Sequence, residues 1–201
     1  MTLRIEQIAT IKPGYPFRGS IKAQKPGDIA VIQMRDATPE YGLNTDDMAH
    51  IKLPGRKDPA WLQASDILFV ARGNKNFAVY IDQLTEKTVC TPHFFQIRIK
   101  SSVPLLPDFL VWQINQTPAQ SYFSRLAQGS VLRNIKKVEL AELPIVIPPL
   151  KTQQTIIALD QAMKQELQLL DTLVDNRRRM MDAIAQQTLN TQQNFDGAQT
   201  L

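Results

Sequence analysis

The sequence predicts an α/β domain of the α+β kind, built on a mixed sheet and followed by one long C-terminal helix. Three observations predict it. Apolar runs of strand length alternate with turn residues through residues 1–150. Near residue 107 the apolar period lengthens to that of a helix. From Lys151 a helical stripe runs to Asn190 with neither Gly nor Pro in it. The expected division is a globular domain over 1–150, a helix over 151–190 and a flexible polar tail over 191–201.

Each element has its own signal. "DIAVIQM" (Asp28–Met34) and "DILFVA" (Asp66–Ala71) are apolar runs that follow turn formers, and "AVYI" (Ala78–Ile81) follows the second across a Gly/Asn turn. "FFQIRIK" (Phe94–Lys100) alternates apolar with polar, as a half-buried strand does. Within Pro107–Pro118, Phe109, Leu110, Trp112 and Ile114 follow an acidic start, which predicts a helix stopped by Pro118. A second helix is expected over Pro118–Ala127, ending near Gly129. Glu142–Pro149 reads as a short edge strand, because proline cannot donate to a central ladder.

The long helix has a seam. Counting in sevens from Ile156 puts Met163, Leu170, Arg177 and Ile184 at one seam position. Leu159, Glu166, Leu173, Met180 and Gln187 fall at the other. Leu167, Val174 and Met181 widen the stripe. A continuous helix over Thr152–Asn190 would be roughly 55–60 Å long. Such a stripe outruns a small domain and calls for a partner helix; a helix folded back on its own domain is the alternative. The candidate dimerisation residues are Ile156, Met163, Leu170, Leu173, Met180 and Ile184. Arg177 either snorkels, pairs with an acid or breaks the seam, whereas Arg178 and Arg179 read as solvated.

Composition limits the chemistry. The net charge is +4 with a pI near 9.2, and the basic excess lies entirely within residues 1–150, as a polyanion-binding surface would require. Cys90 is the only cysteine, so no intrachain disulfide can form and a reducing, cytoplasmic setting is the default. No apolar run suits a signal peptide or a membrane span. His50 and His93 are the only histidines and read as surface or packing groups; the adjacent Asp46 and Asp47 read as solvated rather than as metal ligands. Nucleotide-binding and nucleophile-elbow motifs are missing. No cofactor and no metal are expected, and catalysis is disfavoured.

Three polar, basic stretches favour nucleic-acid binding, although none is a diagnostic motif. "ARGNKNFA" holds Arg72, Asn74, Lys75 and Asn76 in a tight turn that Gly73 would let approach a ligand closely; taken alone it reads equally as a plain hairpin loop, since Gly and Asn are what hairpins use. Arg and Asn can make paired bonds to base edges, and Lys can take phosphate. "QGSVLRNIKK" contributes Ser130, Arg133, Asn134 and Lys136. "KLPGRKDP" adds Lys52, Arg56 and Lys57 on a proline-flanked loop, and Arg35 beyond the first apolar run completes the candidates.

The succession "LQASDILFVARGN", "TPHFFQIR", "PDFLVWQINQ" and "GSVLRNIKKVELAELPIVIPPLKTQQTII" resembles the DNA-specificity subunits of type I restriction–modification systems. In that family a strand leading to an Arg-Gly turn, a helix and a Pro-Pro-Leu-x-x-Gln junction close a target recognition domain, and a spacer helix follows. Here the junction is Pro148, Pro149, Leu150 and Gln153–Gln154, with Thr152 where Glu is often found. The resemblance spans residues 1–190 and implies a non-catalytic specificity module. Its implied partners are adenine methyltransferase (modification) subunits, which use S-adenosylmethionine, and a restriction subunit. Family members usually carry two recognition domains and two spacers. One of each here leads us to expect a half-subunit that dimerises through antiparallel C-terminal helices. The rival expectations are a regulator or protein-interaction module on the same fold, and a small nuclease.

Overall fold

In the computed structural model of the chain, residues 1–17, 19, 21, 27–53, 59–126 and 133–196 are described, Arg133 and residues 190–196 by their backbone alone. β1 (Thr2–Arg4), the single turn α1 (Ile5–Ile8) and β2 (Ala9–Pro13) open the chain. β3 (Ile29–Ile32) leads through a 3-10 turn at Met34–Asp36 into the small hairpin of β4 (Ala37–Thr38) and β5 (Gly42–Leu43), then β6 (Ala49–Ile51). Next come β7 (Ile67–Val70), β8 (Arg72–Gly73), β9 (Ala78–Tyr80), β10 (Thr88–Cys90) and β11 (Phe94–Ile99). The remainder is α2 (Pro107–Asn115), α3 (Thr117–Leu126), β12 (Arg133–Asn134), α4 (Lys137–Ala141), β13 (Pro144–Val146) and α5 (Leu150–Asp196).

The larger sheet, ordered β2-β11-β7-β9, is antiparallel throughout. A second, ordered β10-β3-β6, combines a parallel pair with an antiparallel one. Successive strand residues point to opposite faces, so β7 serves two cores at once. Ile67 and Phe69 pack with Phe109, Leu110, Ile114 and Phe123 of α2 and α3. Leu68 and Val70 pack with Ile32, Cys90 and Phe94. Val31, Ile51 and Val89 form a third cluster with Tyr15, Phe17 and Trp61. Helices, large sheet and small sheet therefore stack in layers, and "ILFV" is apolar without a break because both of its faces are buried.

Several expectations change. Pro118 does not stop the first helix: α2 ends at Asn115, and Pro118 sits in the first turn of α3, where proline's missing N–H costs nothing. β11 is an interior strand, and its Gln96 is held inside while Arg98 reaches in from a half-buried position. The buried Asp66 carboxylate (1% exposed) accepts from Arg98 Nε at 2.6 Å, Arg98 Nη2 at 2.7 Å, Gln96 Nε2 at 2.7 Å and the Gln63 N–H at 2.8 Å. Residues 1–13 contribute two strands and a turn that the sequence reading left unassigned; Ile5 and Ile8 are fully buried in the helical-side core.

Glu142–Pro149 does supply an edge strand. β13 pairs antiparallel with β1, with Pro144 opposite Arg4 and Val146 opposite Thr2. Gln153 explains the junction beyond it. This side chain is 0% exposed; its Nε2 donates to Pro148 O at 2.8 Å and Pro104 O at 2.9 Å, and its Oε1 accepts from the Leu106 N–H at 2.9 Å. One amide thus ties the first turns of α5 both to the Pro-Pro bend and to the loop entering α2. The chain separates into two units, Met1–Ala158 and Leu159–Leu201, so the division falls inside α5 rather than at its start. Ile156 and Ile157 accordingly pack against the helical-side core of the first unit. In the second unit α5 continues to Asp196, further than the predicted Asn190, and residues 197–201 lie outside the described residues.

Candidate nucleic-acid interface

Two of the three basic stretches, far apart in sequence, meet in the fold. β8 pairs antiparallel with β12, with Arg72 opposite Asn134 and Gly73 opposite Arg133. The ribbon is anchored at its base, where the Ile135 N–H donates to Ala71 O at 2.9 Å and the Ala71 N–H donates to His93 O at 2.8 Å. Ile135 is buried while its neighbours Asn134 and Lys136 are exposed, an alternation that plants one side chain in the core and turns the flanking two to solvent. Arg72, Asn74 and Lys75 are exposed on the other arm. The result is an exposed polar and cationic ribbon carried on a buried sheet. Directly opposed residues of such a ladder project to the same side, so Arg72 and Asn134 present a guanidinium and an amide together.

The ribbon sits at the tip of the β7–β9 hairpin, which α2 fastens from behind. Asn115 accepts from the Ala78 N–H at 2.8 Å through Oδ1 and donates Nδ2 to Ala78 O at 2.9 Å. A Cβ built on Gly73 would lie 2.9 Å from the Met34 methyl carbon, which brings the 3-10 turn against the ribbon. Arg35 belongs to that turn and is exposed, with its Nε 3.5 Å from Asp36 Oδ1.

The other candidates are placed differently. Asn76 is no reading residue. It is 1% exposed, and its Nδ2 donates to Val70 O at 3.0 Å and Ala71 O at 3.1 Å beneath the turn. Lys52 is exposed and follows β6, at an edge of the second sheet. Lys136 is exposed at the start of α4, its N–H bonded to Glu139 Oε2 at 2.7 Å. Arg56, Lys57 and Ser130 lie outside the described residues, and Arg133 is described by its backbone only. Sequence reasoning missed Ile135 and Asn115 as supports; the alternation Asn134-Ile135-Lys136 was the available signal for the first.

Among the described residues no cluster of three or more His, Cys, Asp or Glu could hold a metal ion. His50 Nε2 lies 2.9 Å from Glu86 Oε1 at the surface. Burial pushes the Cys90 thiol up to about 12. No helix among the described residues is long and apolar enough to cross a membrane.

The chain belongs to the type I restriction modification DNA specificity domain family, whose model matches residues 1–170. No curated protein matches it. Among solved structures it is similar to the HsdS subunit from Thermoanaerobacter tengcongensis, at 17% identity and a TM-score of 0.60, covering 85% of this chain and 38% of that one. A type I restriction–modification system S subunit from M. genitalium aligns at 16% identity and a TM-score of 0.56, over 89% of this chain and 42% of that one. A chain from a structure concerned with complex assembly and conformational transition of the type I R-M system aligns at 15% identity and a TM-score of 0.61, over 85% and 39%. At these identities the likeness is one of fold, and the chain spans about two fifths of each of those chains.

Proposed function

We propose that this chain is the sequence-reading module of a type I restriction–modification system, binding double-stranded DNA through the β8–β12 ribbon without catalysing a reaction itself. The observation that carries the reading is the meeting of two separate basic segments in one exposed ribbon with a buried base. Arg72 and Asn134 are the base-reading pair, since these side chains can match guanine and adenine edges with two bonds each. Lys75, Lys136 and Arg35 take phosphates and set the register; Lys52, Arg56, Lys57, Ser130 and Arg133 are further candidates for DNA contact. In this reading the module places adenine methyltransferase subunits, and a restriction subunit with them, on the chosen site in the cytoplasm.

The second half of the proposal concerns α5. Met163, Leu170, Leu173, Met180 and Ile184 are between 47% and 54% exposed along one seam, and every residue from Gln165 to Leu189 is exposed. Leucine-rich strips of that length seek a partner, and a second copy in antiparallel register supplies one. It would set two reading ribbons at opposite ends of a shared spacer.

The test is selection from a pool of randomised duplexes by the full chain, followed by sequencing of the retained DNA. The wild type should enrich a defined motif. Arg72→Ala should lose about 1–3 kcal/mol on that motif, while Lys75→Ala should weaken all duplexes alike and lower the salt slope by about one. Retention with no enriched motif would refute sequence reading.

A further inference from the structure

We infer that Asn76 is a positioning residue for DNA readout, holding the reading turn at Arg72–Lys75 in one geometry without touching DNA. The inference rests on the ribbon being the DNA-reading element. Its own support is a junction at one carbonyl. Ala71 O accepts both from Asn76 Nδ2 at 3.1 Å and from the Ile135 N–H at 2.9 Å. The first bond comes from the far end of the turn, the second from the segment that forms the other arm of the ribbon. Asn76 Nδ2 also donates to Val70 O at 3.0 Å, while the Val70 N–H donates to Phe77 O at 2.8 Å. The exposed stretch is therefore pinned at its start by the ladder and at its end by this amide. Neither pin alone sets the direction in which Arg72, Asn74 and Lys75 leave the sheet.

The chemistry of the side chain fixes its orientation. Two carbonyl acceptors dictate that the amide nitrogen faces them, because the oxygen in that place would meet two like dipoles. The same orientation leaves Asn76 Oδ1 buried with no hydrogen-bond partner among the described residues. A buried, unpaired acceptor is destabilising. An apolar residue here would take the donor away from Val70 O and Ala71 O, so what the amide provides is the two directed bonds. An aspartate, equal in size but acceptor-only when ionised, cannot provide them.

The duplex selection described above tests this when repeated on Asn76→Ala and Asn76→Asp, beside Val89→Ala as a buried control on the second sheet. Discrimination is read as the ratio of affinities for the enriched and a scrambled duplex. Both Asn76 variants should lose discrimination about tenfold, with affinity for the scrambled duplex held within about threefold because phosphate contacts tolerate a shifted turn. Val89→Ala should keep the wild-type ratio at a comparable loss of melting temperature. Wild-type discrimination in either folded Asn76 variant overturns the inference, as does equal loss on both duplexes or an equal loss of discrimination in Val89→Ala. A wild type that enriches no motif instead removes the DNA-reading proposal on which the inference stands.

Discussion

Gln153 does in one residue what a helix start usually divides among several. The open N–H and C=O groups around a helix terminus need partners, and here a single buried amide serves two carbonyls and one N–H drawn from two loops. Gln153→Ala should therefore cost about 2–4 kcal/mol in domain stability, read from the urea midpoint. Gln153→Leu should fare no better, because the Leu106 N–H is still stranded. The opposite kind of residue is Cys90, a thiol valued for its bulk. Its protonated form is held by burial, with the pKa pushed up from 9.0 to about 12. The folded state thus binds this proton more tightly than the unfolded state, so its contribution is fully present below about pH 9 and is lost as pH rises towards 12. Stability of the wild type, but less so of Cys90→Ala, should fall across that window. At pH 8 the native thiol should react with an aromatic disulfide reagent only as fast as the domain opens.

At the scale of elements, α5 is long because neither Gly nor Pro interrupts it between Lys151 and Asn190, and its apolar stripe is exposed. Within the helix, Lys164 pairs with Asp160 at 2.7 Å and Arg178 lies 3.5 Å from Asp175, pairs that dress the surface rather than the seam. Ile156 differs from the rest of the stripe: it packs with the first unit's core, so the exposed stripe begins at Leu159 and Met163. Arg177 at a seam position opposes its own copy poorly, which favours a register that sets it against an acidic or polar residue. In light scattering the wild-type chain should have the mass of two copies. Leu170→Glu or Leu173→Glu should raise the dissociation constant at least about a hundredfold, near 3 kcal/mol. Circular dichroism of the first unit should be unchanged. A monomeric wild type at high micromolar concentration would refute the paired spacer.

For the whole molecule, the layered domain carries the ribbon on a buried base, and no cluster of three or more His, Cys, Asp or Glu among the described residues could hold a metal ion. The pure chain, given duplex DNA, magnesium and S-adenosylmethionine, should neither cut nor methylate. Either activity surviving stringent purification would overturn the non-catalytic reading. Adding an adenine methyltransferase subunit that binds this chain should produce methylation confined to the motif selected in the duplex assay.

Local signals in the sequence were enough to locate β3, β7, β9 and β11, the α2–α3 pair and the long helix. Each depends on a periodicity or a turn residue within its own few positions. The family resemblance was legible too, since the Pro-Pro-Leu-x-x-Gln junction is contiguous. What local patterns could not carry was any relation across long separations. The terminal strands β1 and β13 find each other only because the folded sheets bring their ends together. Gln96 looked like a solvent-facing residue of an alternating strand until Asp66 and Trp61 O gave it partners inside. Asn76 had the composition of a base reader, yet its side chain is buried and bonded to Val70 O and Ala71 O. The ribbon itself joins Arg72 to Asn134, and no pattern near either residue names the other. Residue type sets what a side chain can bond; burial and long-range pairing decide which of those bonds it makes, because desolvation penalises every polar group that reaches the interior without a partner.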